Sequence, residues 1–200
     1  MAARKESIPN AFLTGRRVYL RGAVPEDAVV CAPWFNDPEV NRYLVTGRRP
    51  NAVEHSRDVI TRAMNSEREV MFAVIERESG RHIGNAGLHR IHPVYRSALF
   101  GVVIGVPECW HRGYGTEVTA LVTDFAFSRL NLNRVELEVA AANARAQRIY
   151  ERVGYRVEGT RRQAMYVEGR YEDVTLMSIL RAEWEALRAA PVRATRRRTR

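Results

Sequence analysis

Cysteine is scarce in this chain: Cys31 and Cys109 are the only two among 200 residues, and they lie far apart. Such scarcity excludes a disulfide framework and suits a cytoplasmic setting. Neither cysteine sits in a nucleophile motif, so both read as small buried hydrophobes. No run of about 18 apolar residues occurs, so no membrane-spanning helix is expected. The opening residues, MAARKESIPNAFLTGRR, lack the apolar stretch of a secretory signal. Two phosphate-binding motifs are missing as well. A dinucleotide fingerprint needs a third glycine where Val118 stands, and no Gly-Lys-Ser/Thr closes a Walker loop. No metal is expected, because His89-x-x-His92 has no cysteine or acid at a spacing that completes a ligand set.

What the chain does have is arginine. The net charge is +9, and of 32 basic residues only Lys5 is lysine. Six arginines and no acids fall in residues 188–200; without them the chain holds 26 basic against 23 acidic residues. The body is therefore mildly basic, and RAAPVRATRRRTR reads as a disordered basic arm. Contact with ribosome or RNA is the functional alternative for that arm, although no RNA-reading motif accompanies it. With 46% apolar residues, residues 16–187 suffice for one domain with its own core. A flexible segment, 1–15, precedes it.

Within that domain, RRVYLRG (16–22) alternates like a strand. Pro25, Glu26 and Asp27 mark a helix start, since proline suits the first turn and acids its positive end. That helix carries Trp34 and Phe35 toward its far end. Asn51 with Glu54 resembles a capping box, opening a helix with Val53, Ile60 and Met64 on one side. EVMFAVIE (69–76) and RHIGNAGLHRI (81–91) read as strands around Ser79-Gly80, and ALFGVVIGV (98–106) as a buried central strand. A helix from Thr116 to about Leu130 follows, with Val118, Leu121, Val122 and Phe125 as its core stripe. RVELEVA (134–140) alternates as a strand. Asn143 then caps a helix with Ala146, Ile149, Tyr150 and Val153 on one face, and Gly154 stops it. Two strands joined at Glu168-Gly169 complete the order β-α-α-β-β-β-α-β-α-β-β. The expected class is α/β: helices flanking a mixed, mostly antiparallel sheet.

Residues 109–117, CWHRGYGTE, join a buried strand to a helix N-terminus. There, free N–H groups and the positive end of the helix dipole make an anion site. Gly113 and Gly115 let the backbone curl its N–H groups inward and remove side chains that would block a phosphate. A plain tight turn is the alternative reading of the same residues.

Three segments in order resemble the GNAT superfamily of acetyl-CoA-dependent N-acetyltransferases. Trp110-His111-Arg112-Gly113-Tyr114-Gly115 is similar to its Q/R-x-x-G-x-G/A phosphate loop, with Trp in the first position. NARAQRIYERVGYRVEG (143–159) is similar to its N-x-x-S/A-x-x-x-Y-x-x-x-G-F/Y helix. W-x-x-G-Y-x-T-E and the ending GRYEDVTLMS look like the RimJ/RimL branch, which acetylates protein N-termini. The resemblance implies a GNAT fold with acetyl-CoA as cosubstrate. Its pyrophosphate would meet the N–H groups of His111, Arg112, Gly113, Tyr114, Gly115 and Thr116. Its pantetheine would pair with the backbone near Ile104, Gly105 and Val106, and Asn143 would touch it from the second helix.

Acetyl transfer needs a deprotonated amine, a polarised thioester carbonyl and a proton for the leaving thiolate. In RVELEVA, Val135, Leu137 and Val139 share one face, Glu136 and Glu138 the other. By resemblance Glu138 is the candidate base; an ordered water or another acid fills that role in many relatives. Tyr150 is the candidate acid, against a plain core role. His89 is a lesser candidate for proton relay. The acceptor implied is a protein N-terminal α-amine. Spermidine or another small amine is the alternative, which calls for an acidic cluster drawn from Glu26, Asp27, Asp37, Glu39, Glu172 and Asp173. A homodimer is a compatible assembly.

Overall fold

Alternation along residues 18–22 buries Val18 and Leu20 completely and leaves Tyr19 and Arg21 half-exposed, so this segment forms a sheet strand rather than a loop. The computed structural model describes residues 10–44 and 49–189. Among them are eight strands: β1 (Leu13–Thr14), β2 (Val18–Gly22), β3 (Val70–Glu76), β4 (His82–His92), β5 (Ser97–Ile104), β6 (Arg134–Ala140), β7 (Arg156–Val167) and β8 (Arg170–Leu180). Six α-helices accompany them: α1 (Ala28–Asn36), α2 (Pro38–Asn41), α3 (Val53–Met64), α4 (Tyr114–Ser128), α5 (Ala144–Val153) and α6 (Arg181–Ala189).

The strands form one sheet in the order β1-β2-β3-β4-β5-β6-β8-β7. Every pairing is antiparallel except β5 with β6. The expected mixed, mostly antiparallel sheet is what the chain builds. Its two faces are covered by different helices. Phe72 of β3 meets Phe125 of α4 edge-on at 5.5 Å, while the next residue, Met71, faces α1 and α3 with Asn85 of β4.

Several local expectations change. The Pro25–Asp27 segment is a 3-10 turn, and α1 begins at Ala28. Asp27 accepts the Val24 N–H at 2.9 Å and grips Arg21 through both carboxylate oxygens, so it ties the turn to β2. Asn51 does not cap α3, whose N-cap is Ala52. Its side chain donates instead to Ser56 Oγ (2.7 Å), while its backbone N–H and carbonyl bond the Asn36 side chain at the end of α1. Met64, the last residue of α3, is 55% exposed; the buried stripe of the helix ends with Ile60 and Ala63.

Both expected termini are shorter than the sequence suggests. Leu13 is buried and Phe12 stacks on Phe72, so residues 12–14 belong to the fold. At the other end α6 runs to Ala189, with Arg188 paired to Asp124 and lying over the Trp184 ring at 5.1 Å. The remainder of the expected arm, like residues 1–9, lies outside the described residues.

Candidate active site

The site begins where two strands part. β5 and β6 pair only at Ser97–Arg134, Ala98–Val135 and Leu99–Glu136. Beyond Leu99 the strands diverge, while β5 stays paired with β4 as far as Ile104. Antiparallel ladders alternate the direction of backbone groups. Gly105 N–H donates to Ile83 O at 2.9 Å, so its alternates on β5 also turn toward β4. The groups of Phe100, Val102 and Ile104 therefore face the split.

This redistributes the three strand residues expected to hold a pantetheine. Ile104 faces the split, and its carbonyl accepts the Trp110 indole N–H at 2.8 Å. Gly105 faces β4, and a Cβ there would sit 2.0 Å from the Trp34 ring. Val106 uses its carbonyl for Cys109 N–H. Val102, absent from that expectation, faces the split together with Ile104. The Trp110 bond also explains the unusual first residue of the loop motif, since the indole stitches the loop to the strand.

After a short 3-10 turn, Pro107–Cys109, the loop curls into α4. His111 and Gly113 both adopt positive φ, 59° and 82°, the combination that turns successive N–H groups to one side. No N–H from His111 to Thr116 meets an acceptor among the described residues, and the first bonded one is Glu117 N–H to Gly113 O. These six donors stand at the positive end of the 15-residue α4. Gly113 is needed twice over: its φ disfavours a side chain, and a Cβ would lie 2.5 Å from Arg17 Nη2. Gly115 serves packing, since a Cβ would stand 3.3 Å from Ile149 Cδ1 of α5.

Three arginines surround the loop. Arg17 donates to Arg112 O and pairs with Glu117; Arg17 and Arg112 flank the Tyr114 ring at 5.4 and 5.6 Å. Tyr114 is buried and its hydroxyl bonds the Glu76 carboxylate. Hydrogen bonds from Ser79 and Tyr114 hold Glu76 below its ordinary pKa, with Arg112 assisting. Arg145 of α5 lies over Trp110 at 5.0 Å and reaches His111 Nε2 at 3.3 Å. Arg17, Glu76 and Arg145 were missed in the sequence because no local pattern marks them. Arg17 acts on a residue 95 positions away.

Across the split stands α5. Asn143 caps it, accepting Ala146 N–H at 3.1 Å, so its Oδ1 is engaged as a cap. Tyr150 meets the ring of Phe100, the first β5 residue not paired with β6, edge-on at 6.3 Å. Burial alone pushes the Tyr150 phenol up to about 12, so it stays protonated throughout the neutral range. Tyr155, the deeper neighbour, spends its hydroxyl on Thr123 at 2.9 Å.

The opposite face carries the acids. Glu136 pairs with Leu99 and so shares the face of His89 and Asn85. Glu138 lies two residues on, exposed, in an ion pair with Arg161 of β7. Glu136 is paired with Arg134 at 3.0 Å, which also binds Glu158. The Arg134 and Ser178 hydrogen bonds draw the Glu158 carboxyl down to about 2. His89 stands 4.0 Å from Glu69 and beside Gly101. The structure thus places Tyr150, Ile104 and the loop around the split, and Glu138 on the face beneath α1 and α3. Among the described residues no group of three metal-binding side chains occurs.

The arrangement can hold a long phosphorylated thioester in the split and present an amine to it from the other face. The chain's relatives agree. The acetyltransferase (GNAT) domain model matches residues 17–156, and the chain belongs to that family. A spermidine N(1)-acetyltransferase of Escherichia coli (strain K12) is 30% identical over 174 residues, 87% of this chain and 91% of that protein. A putative ribosomal N-acetyltransferase, YdaF, of Bacillus subtilis (strain 168) is 34% identical over 106 residues, 53% of this chain and 57% of its own. The crystal structure of spermidine N-acetyltransferase from Vibrio cholerae, in complex with CoA and spermine, superposes with a TM-score of 0.78 at 26% identity. It covers 84% of this chain and 98% of that one. The protein is an acetyl-CoA-dependent N-acetyltransferase of the GNAT fold.

Proposed function

We propose that the acetyl group passes to the α-amine of a protein N-terminus, with acetyl-CoA lying along the β5 edge and its pyrophosphate on the N–H groups of residues 111–116. The observation that carries the cofactor placement is the divergence of β5 from β6 after Leu99, with six unbonded N–H groups at its end. Val102 and Ile104 supply the backbone for the pantetheine, Arg17, Arg112 and Arg145 the positive charge, and Asn143 holds α5 in register. The amine attacks the thioester carbonyl, the C–S bond breaks, and the thiolate takes the phenolic proton of Tyr150. Glu138, directly or through a water, takes the proton lost by the amine. An α-amine suits a carboxylate base because its own pKa is near 7.7–8.0, against about 10.4 for a lysine side chain.

Commitment of the acids supports a peptide over a polycation. Asp27 is held by Arg21, Glu172 by Arg170, Glu136 by Arg134 and Glu138 by Arg161. Asp37 caps α2, and Asp173 accepts Gln163 N–H. A polyamine would have to displace arginines to reach Asp27, Glu136, Glu138 and Glu172, whereas Glu26 and Glu39 form no ion pair among the described residues. The likeness to the spermidine acetyltransferases favours the second reading, a polyamine acceptor. The cytoplasmic setting belongs to this proposal also and is consistent with two free, buried cysteines.

The deciding experiment follows thiol release from acetyl-CoA with N-terminal peptides, spermidine and aminoglycosides in parallel. A peptide should give the highest kcat/KM. A far higher value for spermidine overturns the peptide reading and leaves the cofactor site intact.

A further inference from the structure

Glycine inside a strand weakens it, because it has more backbone freedom to lose and no side chain to pack. On β4 and just past β5 the cost has a steric reason. A Cβ at Gly84 would run into the Val103 carbonyl, one at Gly87 into the Val70 carbonyl, and one at Gly105 into the Trp34 ring. Gly101, in the middle of β5, has no such reason. It does not adopt a positive φ. A Cβ there would meet the His89 ring alone, Nε2 at 3.5 Å and Cδ2 at 3.7 Å, which is ordinary van der Waals contact. Among the described residues beyond its chain neighbours, nothing else lies within 4 Å of that point. The fold therefore has room for a side chain at 101, and a β-branched one would suit the strand better than glycine.

A strand glycine that packing does not require marks a place where another molecule comes close to the backbone. Its position says which molecule. Gly101 shares a face with Leu99 and Val103, and these three are only half-buried, whereas Ala98 and Phe100 on the other face are buried. β6 runs parallel to β5 with Leu99 opposite Glu136, so two residues further on the exposed Glu138 stands level with Gly101. The strands have parted at this level. On the far face Phe100, the preceding residue, touches Tyr150. Gly101 thus leaves a gap between the His89 ring on β4 and Glu138 on β6, at the edge of the split and opposite the candidate acid.

We propose that Gly101 is a specificity-determining residue: its missing side chain keeps open the passage, between His89 and Glu138, by which the acceptor amine reaches the thioester. Adjacent strands stand about 4.8 Å apart, so a branched side chain at 101 would fill much of that gap. It would leave the cofactor alone, because Val102 and Ile104 meet the pantetheine through backbone groups that face the split. The assignment rests on the cofactor placement above and not on the class of acceptor, since a peptide N-terminus and a polyamine would enter by the same opening.

The test compares wild type with Gly101→Ala and Gly101→Val. Both variants should keep a Tm equal to or above that of wild type, and the same rise in Tm with acetyl-CoA. The KM for acetyl-CoA should also stay unchanged. The acceptor is the one that wild type turns over with the highest kcat/KM among N-terminal peptides, spermidine and aminoglycosides. For it, kcat/KM should fall by about tenfold in Gly101→Ala and about a hundredfold in Gly101→Val. If the valine variant fails to fold, the alanine variant decides, since its added carbon makes only ordinary contacts. Wild-type acceptor kinetics in the folded variants overturn the proposal. A loss of the acetyl-CoA-induced rise in step with activity overturns it too, because Gly101 would then belong to the cofactor site. A wild type whose Tm does not respond to acetyl-CoA overturns the cofactor placement itself, and this assignment with it.

Discussion

The two sides of the β5–β6 split are built by opposite strategies. On the loop side, local sequence does most of the work: within ten residues the chain supplies a strand edge, an indole stitch, two positive-φ positions and a helix N-terminus. On the acid side, the candidate base is completed by a residue from another strand. Arg161 reaches Glu138 from 23 positions away. Cofactor recognition therefore survives as a short motif, while acceptor chemistry is distributed over strands and helices. The Trp110 substitution in the motif is tolerated because the indole finds its partner only six residues away.

The largest expected effect falls on the loop side. In wild type, acetyl-CoA at a hundred times its Kd should raise stability by about 2.7 kcal/mol, seen as a rise in Tm. Gly113→Val places a side chain against Arg17 at a φ of 82° and should erase that rise. An undiminished shift would remove the phosphate assignment, and with it the contrast between the two sides.

Next comes Tyr150→Phe, which keeps the packing against Phe100 and deletes only the hydroxyl. A general acid contributes about 10²–10⁴-fold, so kcat should fall within that range while the acetyl-CoA shift persists. A loss under tenfold would make Tyr150 a core aromatic and move the acid elsewhere.

A smaller effect is expected at Glu138. Glu138→Gln should lower turnover at neutral pH by about tenfold, with activity returning above the α-amine pKa of about 8, where the free amine is abundant. A wild-type pH–rate profile would shift the role of base to a water or to His89 with Glu69.

The smallest concerns stability. The Glu158 carboxyl is drawn from 4.5 to about 2 by Arg134 and Ser178. A depressed carboxylate contributes stability above its unfolded pKa and loses it as pH falls through the folded one. Glu158→Gln should therefore cost stability at neutral pH, with the gap to wild type closing between about pH 4.5 and 2 in denaturant titrations. A gap independent of pH would show that shape, not charge, holds the pair.

Strand and helix identity were largely legible because burial imposes periods of two and 3.6 residues on the sequence. RVELEVA shows this most clearly: its alternation is reproduced residue for residue in β6, with Val135, Leu137 and Val139 buried and Glu138 exposed. Local signals failed where a residue served a distant partner. Asn51 had the composition of a cap and became a clamp between helices; Asp27 had the composition of a dipole acid and became the anchor of Arg21. ALFGVVIGV read as a strand covered on both sides, yet Val102–Ile104 are only half-buried, because the sheet parts beside them.

By itself, then, the sequence determined the order of elements, the loop that curls into α4, and Tyr150 on the inward stripe of α5, since each depends on neighbours within a turn or two. Tertiary structure alone decided where β5 leaves β6, which strand residues face that opening, and which acids are bound to arginines. Those features depend on pairing register and on contacts between residues up to 100 positions apart, for which no local periodicity codes.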